Sequence, residues 1–211
     1  MKLIFINEIP FHFVMNTVFF IKSASTDLEN YTIKDIPGSS GRFDVISRCI
    51  LSALLSNGGF ERNFQIWTFL EKYGTFIFDS NSLDYNLFPE NEILLTENFV
   101  NLIKKTQRIN EEKSNPLNLI EYSDINIFDA IKQKIKDGFS IYILNENGED
   151  FFKFKKEILS KNNVVFVIGS QSGEIIDSYE LRELNLPNLS LGHKSYLASS
   201  VIRLIKLNLM L

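Results

Sequence analysis

Apolar residues in this chain fall into short unbroken runs, separated by stretches in which they recur every three or four positions. Thr17-Val18-Phe19-Phe20-Ile21 is a β-branched and aromatic run, which predicts a strand buried on both faces. Residues 65–70 and 75–79 predict two strands joined around Gly74. Residues 140–144, 164–168 and 188–190 predict three more. Elsewhere the period is helical. Phe43, Ile46, Ile50 and Ala53 share one face, joined by Val45 and Cys49, and Gly58-Gly59 is the expected stop. Thr96 is the expected N-cap of a helix from Glu97 to about Ile109, followed by a polar loop over 110–115 that Pro116 closes. Asp124 or Asn126 opens a helix through Ile127, Ala130, Ile131 and Ile135, stopped at Gly138. A last helix from about Ser195 to Leu209 carries the apolar stripe Leu197, Val201, Leu204, Ile205 and Leu209. Helices alternating with fully apolar strands predict one α/β domain over residues 1–211 with a largely parallel sheet.

Composition narrows the partners. The formal charge is −4, from 22 basic and 26 acidic residues. Bulk charge therefore does not drive nucleic-acid binding, and an RNA contact needs a local basic patch. Cys49 is the only cysteine, so no internal disulfide forms and a reducing compartment is expected. His12 and His193 are the only histidines, and no metal site is expected. The apolar run over 1–21 is interrupted by Glu8, Pro10, His12 and Asn16. It reads as a short extension, residues 1–14, before the first strand rather than a signal or membrane segment. A cytoplasmic protein without membrane attachment is the expectation.

Candidate chemistry starts at Ile36-Pro37-Gly38-Ser39-Ser40-Gly41-Arg42-Phe43-Asp44, a glycine- and serine-rich loop opening onto a helix. Free N–H groups and the positive dipole end make such helix starts suited to anions. Arg42 adds charge there, and Asp44 and Arg48 stand at i and i+4. That spacing fits a solvated ion pair of about 0.3–0.5 kcal/mol, and equally a grip on phosphate. Neither a Walker A ending, a Gly-x-Gly-x-x-Gly nor a nucleophile elbow is present. Three strand ends are built for close backbone approach: Leu144 into Asn145-Glu146-Asn147-Gly148, Ile168 into Gly169-Ser170-Gln171-Ser172-Gly173, and Ser190 into Leu191-Gly192-His193. Ligands of α/β sheets bind at such ends.

The segment Asp35-Ile36-Pro37-Gly38-Ser39-Ser40-Gly41-Arg42-Phe43-Asp44, with Ser47-Arg48-Cys49 behind it, resembles the signature of archaeal tRNA pseudouridine-54 N1-methyltransferases. These belong to the SPOUT, or trefoil-knot, class. Ile141-Tyr142-Ile143-Leu144 with Asn147-Gly148-Glu149-Asp150, Val165 to Gly169 with Gly173, and Leu189-Ser190 match in family order. The resemblance implies a SPOUT-type, largely parallel sheet flanked by helices, with a deep carboxy-terminal trefoil knot. It implies S-adenosylmethionine held by Leu144, Asn147, Gly148, Ile168, Gly169, Ser170, Gly173, Ser190, Leu191, Gly192 and Leu197. It further implies a tRNA substrate and a homodimer formed through the last helix. Methylation of pseudouridine N1 displaces a proton, for which Asp44 is the candidate acceptor beside Arg42; Arg42, Arg48 and Ser39 would contact RNA. The chain departs from the family at Ser200-Val201, where relatives carry His-Cys, and at Leu119-Ile120-Glu121-Tyr122, where they carry arginines. These departures keep two alternatives in view: another RNA position, or a silent knotted protein that binds RNA or a partner.

Overall fold

The computed structural model describes residues 15–106, 115–169, 178–192 and 194–210. Its first strand, β1 (Asn16–Ser23), is the aromatic run expected to be buried on both faces, and it lies at the middle of the sheet. A short helix α1 (Ile36–Ser39) leads into α2 (Phe43–Leu54), followed by a small hairpin of β2 (Leu55–Ser56) and β3 (Gly59–Phe60). Then come β4 (Phe64–Leu70), β5 (Gly74–Asp79), α3 (Glu92–Thr106), β6 (Glu121–Ser123) and α4 (Ile127–Lys136). The last part comprises β7 (Ser140–Asp150), α5 (Phe151–Leu159), β8 (Asn163–Ile168), α6 (Tyr179–Glu183), β9 (Asn188–Ser190) and α7 (Ala198–Met210).

The seven-stranded sheet runs β6-β5-β4-β1-β8-β7-β9. From β4 to β9 every pairing is parallel, and only β5 and β6 at one edge are antiparallel. Alternation along each strand divides the core between two faces. Phe19, Ile66, Phe78, Tyr142 and Phe166 face the side covered by α2, α3, α5 and α7. Val18, Phe20, Trp67, Ile143 and Val165 face the side covered by α4 and α6. Phenylalanine fills the larger layer, where Phe99 of α3 meets Phe43, Phe76 and Phe78 at ring-centroid distances of 5.0–5.1 Å.

Several boundaries differ from the sequence reading. Helix α2 stops at Leu54, and Gly58 serves the hairpin turn instead of the helix end. Helix α3 starts at Glu92, because the Asn91 side chain accepts the Leu94 N–H at 2.9 Å. Thr96 is inside that helix, buried, with its hydroxyl donating to Ser47 Oγ at 2.7 Å. Strand β7 resumes after the expected Asn-Gly turn and continues to Asp150. Helices α5 and α6 were not expected at all. The 1–14 extension, residues 110–114 of the loop expected over 110–115 and the end of the helix at Ile109 lie outside the described residues.

Candidate functional site

Parallel strands bring four carboxyl ends into one row. Ile21 pairs with Ile168, Ile168 with Leu144, and Leu144 with Leu189. All four side chains are buried, so the row has an apolar floor. Beyond it the chain leaves the ladder. Leu144 and Glu149 both pair with Leu189, which loops out the Asn145-Glu146-Asn147-Gly148 segment between them. Gly148 then lies flat on β9: a Cβ there would sit 2.7 Å from backbone atoms of Asn188 and Leu189. Only glycine fits that approach.

Ser190 ties the loops together. Its hydroxyl accepts the Gly192 N–H at 3.2 Å, with the carbonyl oxygens of Gly192 at 2.9 Å and Glu146 at 3.1 Å available to its proton. Gly192 has φ +131°, and the space a Cβ would take is open, with Tyr196 Oη at 3.9 Å its nearest neighbour. Leu191 packs half-buried on the core, and Leu197 just ahead of α7 is 52% exposed. The structure thus gathers Leu144, Asn147, Gly148, Ile168, Gly169, Ser190, Leu191 and Gly192 at neighbouring strand ends. Ser170, Gly173 and His193 lie outside the described residues.

The arginine-bearing loop is seated on the carboxyl end of β1. Ser25 Oγ donates to Gly41 O at 2.8 Å, and the Asp27 N–H to Ser40 O at 3.2 Å. Gly41 has φ +59°, and a Cβ there would fall 1.7 Å from Ser25 O, so the contact requires glycine. Ser40 Oγ donates to Ile36 O at 2.5 Å and accepts the Phe43 N–H at 3.1 Å, closing the first turn of α2. Ser39, expected on RNA, has its hydroxyl engaged with the Thr32 backbone, accepting from N at 2.9 Å and donating to O at 3.1 Å. Arg42 sits in the left-handed region at φ +66°, a strained conformation for a non-glycine residue that places its side chain beside Asp44.

Asp44 is enclosed by both arginines. Its side chain is 5% exposed, against 52% for Arg42 and 32% for Arg48. Arg42 Nε donates to Oδ1 at 3.2 Å and Arg42 Nη2 to Oδ2 at 3.4 Å, while Arg48 Nη2 donates to Oδ2 at 2.5 Å. Glu92, in the first turn of α3, adds a second carboxylate 3.5 Å from Arg48 Nε. No pattern in the sequence marked Glu92, since only the packing of α3 on α2 brings it here. One buried carboxylate thus holds two guanidinium groups from beneath and leaves their outer N–H groups for an anion. Cys49, next along the helix, is buried, which pushes its thiol up to about 12.

Together these features define an α/β protein whose candidate ligand site crosses the carboxyl ends of parallel strands, with an arginine cluster on the same side of the sheet. A family model described as a putative SAM-dependent RNA methyltransferase matches residues 14–210. The chain belongs to this family of SAM-dependent RNA methyltransferases. Its relatives include the tRNA (pseudouridine(54)-N(1))-methyltransferase of Pyrococcus abyssi, 28% identical over 91% of this chain and 96% of that one. The enzyme of the same name from Methanococcus aeolicus is 31% identical over 73% of this chain and 78% of its own. A similar solved structure is Archaeoglobus fulgidus Nep1 bound to S-adenosylhomocysteine, with TM-score 0.63 and 19% identity over 92% of this chain and 97% of that one. That likeness concerns the fold, and it agrees with the SPOUT-type sheet expected from the sequence. Among the described residues, no helix is long and apolar enough to cross a membrane.

Proposed function

We propose that this protein uses S-adenosylmethionine to methylate N1 of pseudouridine 54 in tRNA. The observation that carries the reading is the shared edge, where the three glycine-bearing strand ends and the Arg42–Asp44–Arg48 cluster occupy the carboxyl side of one parallel sheet. Relatives matching nearly the whole chain bear the name of this activity.

The strand-end residues fit the cofactor. Leu144, Ile168, Leu191 and Leu197 offer apolar surface for an adenine ring and a methionine chain. The open backbone at Gly192 admits a ligand against main-chain donors, and Gly169, Asn147 and Gly148 line the neighbouring loops. Ser170 and Gly173 belong to the same proposed set. When bound, S-adenosylmethionine supplies an electrophilic methyl group on a sulfonium.

Arg42 and Arg48 are proposed to hold RNA phosphate, with charge-assisted hydrogen bonds from their outer N–H groups. Ser39 contributes by fixing the loop against Thr32. Both oxygens of Asp44 are already engaged, which limits its access to a substrate proton. Its proposed part is therefore to position the two arginines, and only secondarily to receive the N1 proton. Orientation of this kind is a large share of what an enzyme contributes to a two-substrate transfer.

The proposal includes a homodimer through α7, on which Leu207 and Met210 are exposed, as is Leu197 just ahead of it, while Val201 and Leu204 are half-buried. It also includes the carboxy-terminal threading that the resemblance implies, and a cytoplasmic site of action. The test is incubation with a labelled methyl donor and two tRNA transcripts, with pseudouridine or uridine at position 54. Label is expected with pseudouridine alone. Equal label on both transcripts, or on neither, contradicts the proposal.

A further inference from the structure

Lysine is concentrated on α5, one of the two helices that the sequence did not predict. Its nine residues are Phe151-Phe152-Lys153-Phe154-Lys155-Lys156-Glu157-Ile158-Leu159. Phe151 and Ile158 are buried in the core, whereas Phe152 is 57% exposed and Lys153 and Lys156 are exposed beside it. The single glutamate is already partnered: Glu157 Oε1 lies 3.5 Å from Lys161 Nζ and accepts from Tyr142 Oη at 3.3 Å. Among the described residues, Lys153, Lys155 and Lys156 pair with no carboxylate. Lysines three positions apart are neighbours on a helix surface and repel. A chain of formal charge −4 has therefore gathered three lysines free of ion pairs beside an exposed ring, with the exposed carboxylates Glu149, Asp150 and Glu157 toward the ends of the helix.

Its place in the fold matters as much. Helix α5 begins directly after Asp150, and Asp150 pairs with Ser190, the residue that ties the cofactor loops together. The stripe thus starts at the edge where the methyl donor is proposed to bind. We infer that Phe152, Lys153 and Lys156 form a second RNA contact, gripping phosphates of the substrate tRNA away from the target nucleotide, with Phe152 stacked on an unpaired base. The inference rests on the tRNA reading of the site. A polyanion supplies the direct partners that no ion pair within the protein gives these lysines, and an aromatic ring among lysines suits an unstacked base. A second copy of the chain is the poorer occupant, because a two-fold contact here would set the lysines against their own symmetry mates.

The experiment measures tRNA affinity over a series of salt concentrations for four proteins. These are the wild type, Lys153→Glu/Lys156→Glu, Phe152→Ala, and the charge-matched Lys132→Glu/Lys136→Glu on α4 across the sheet. The α5 double variant is expected to raise Kd about tenfold or more and to flatten the log–log salt slope by roughly 1.4–1.8, two phosphate contacts' worth. Phe152→Ala should weaken binding with the slope unchanged. In methylation, KM for tRNA rises while kcat at saturating tRNA and the S-adenosylmethionine affinity stay at wild-type values; the latter also reports that the variants are folded. Wild-type tRNA binding with an unaffected α5 double variant overturns this inference alone. An equal effect from the α4 pair overturns it too, as does Phe152→Ala changing the oligomeric state but not the RNA affinity. Absence of tRNA binding by the wild type overturns the tRNA reading itself.

Discussion

Asp44 illustrates how one buried side chain can organise a surface. Its carboxylate engages Arg42 and Arg48, and Glu92 takes part of Arg48 as well. Replacing Asp44 with Asn removes the charge but keeps the shape, so Arg42 loses its ion-pair partner and Arg48 is left with Glu92 alone. The expected outcome is a raised KM for tRNA and a lowered kcat, with the shape of the pH–rate profile retained. Loss of one limb of that profile would instead mark Asp44 as the proton acceptor. Gly148 makes a different demand. A methyl group 2.7 Å from the β9 backbone has nowhere to go. Gly148→Ala should destabilise the fold by about 1–3 kcal/mol and weaken S-adenosylmethionine binding, read by denaturant melts and calorimetry. At this scale the sequence was legible where a residue type is itself the message, as at Gly41, Arg42 and Gly148. It was silent about Glu92, because no local pattern reports that the start of α3 lands beside α2.

Helix α7 joins the two halves of the molecule at the level of elements. The predicted stripe divides: Ile205 is fully buried and Leu209 packs on the core, whereas Leu197 is exposed and Val201 and Leu204 are half-buried. Between them Lys206 points inward and caps the end of α2, donating to Ser52 O at 3.0 Å and Leu55 O at 2.8 Å. Glu61 lies 3.8 Å from the ammonium, and the Phe64 ring centroid 5.6 Å away. Burial brings this lysine down from 10.5 to about 8 in spite of Glu61. Between pH 8 and 10.5 the unfolded chain therefore binds the proton that the folded one has released, so this group makes stability rise with pH across that window. Denaturant melts of wild type and Lys206→Met at neutral pH and above pH 9 should show the difference between them shifting in favour of the wild type at the higher pH. Element prediction failed where two signals conflicted. At Thr96 a good capping residue was outcompeted by Asn91, and in α5 the aromatic residues and the preceding Asn-Gly obscured the helical period.

For the whole molecule, the alternation of apolar runs and amphipathic stretches was sufficient to give the parallel sheet. β4, β1, β8 and the first half of β7 are buried on both faces, so they carry no competing polar pattern, whereas the edge strand β9 is short and begins at an exposed Asn188. Of the antiparallel edge, β5 was legible as the strand after Gly74, but β6 was not, since it is only three residues long and mostly exposed. Assembly is the property that remains to be measured at this scale. Sedimentation equilibrium should give a dimer, and Leu204→Glu/Leu207→Glu on the outer flank of α7 should give a folded monomer. The central claim is that this edge of the sheet transfers a methyl group to pseudouridine N1 in tRNA. Its most direct test is to react the protein with S-adenosylmethionine and pseudouridine-containing tRNA, digest the product and identify the methylated nucleoside and its position by mass spectrometry. N1-methylpseudouridine at position 54 is the predicted result; a methyl group on any other atom or nucleotide would contradict it.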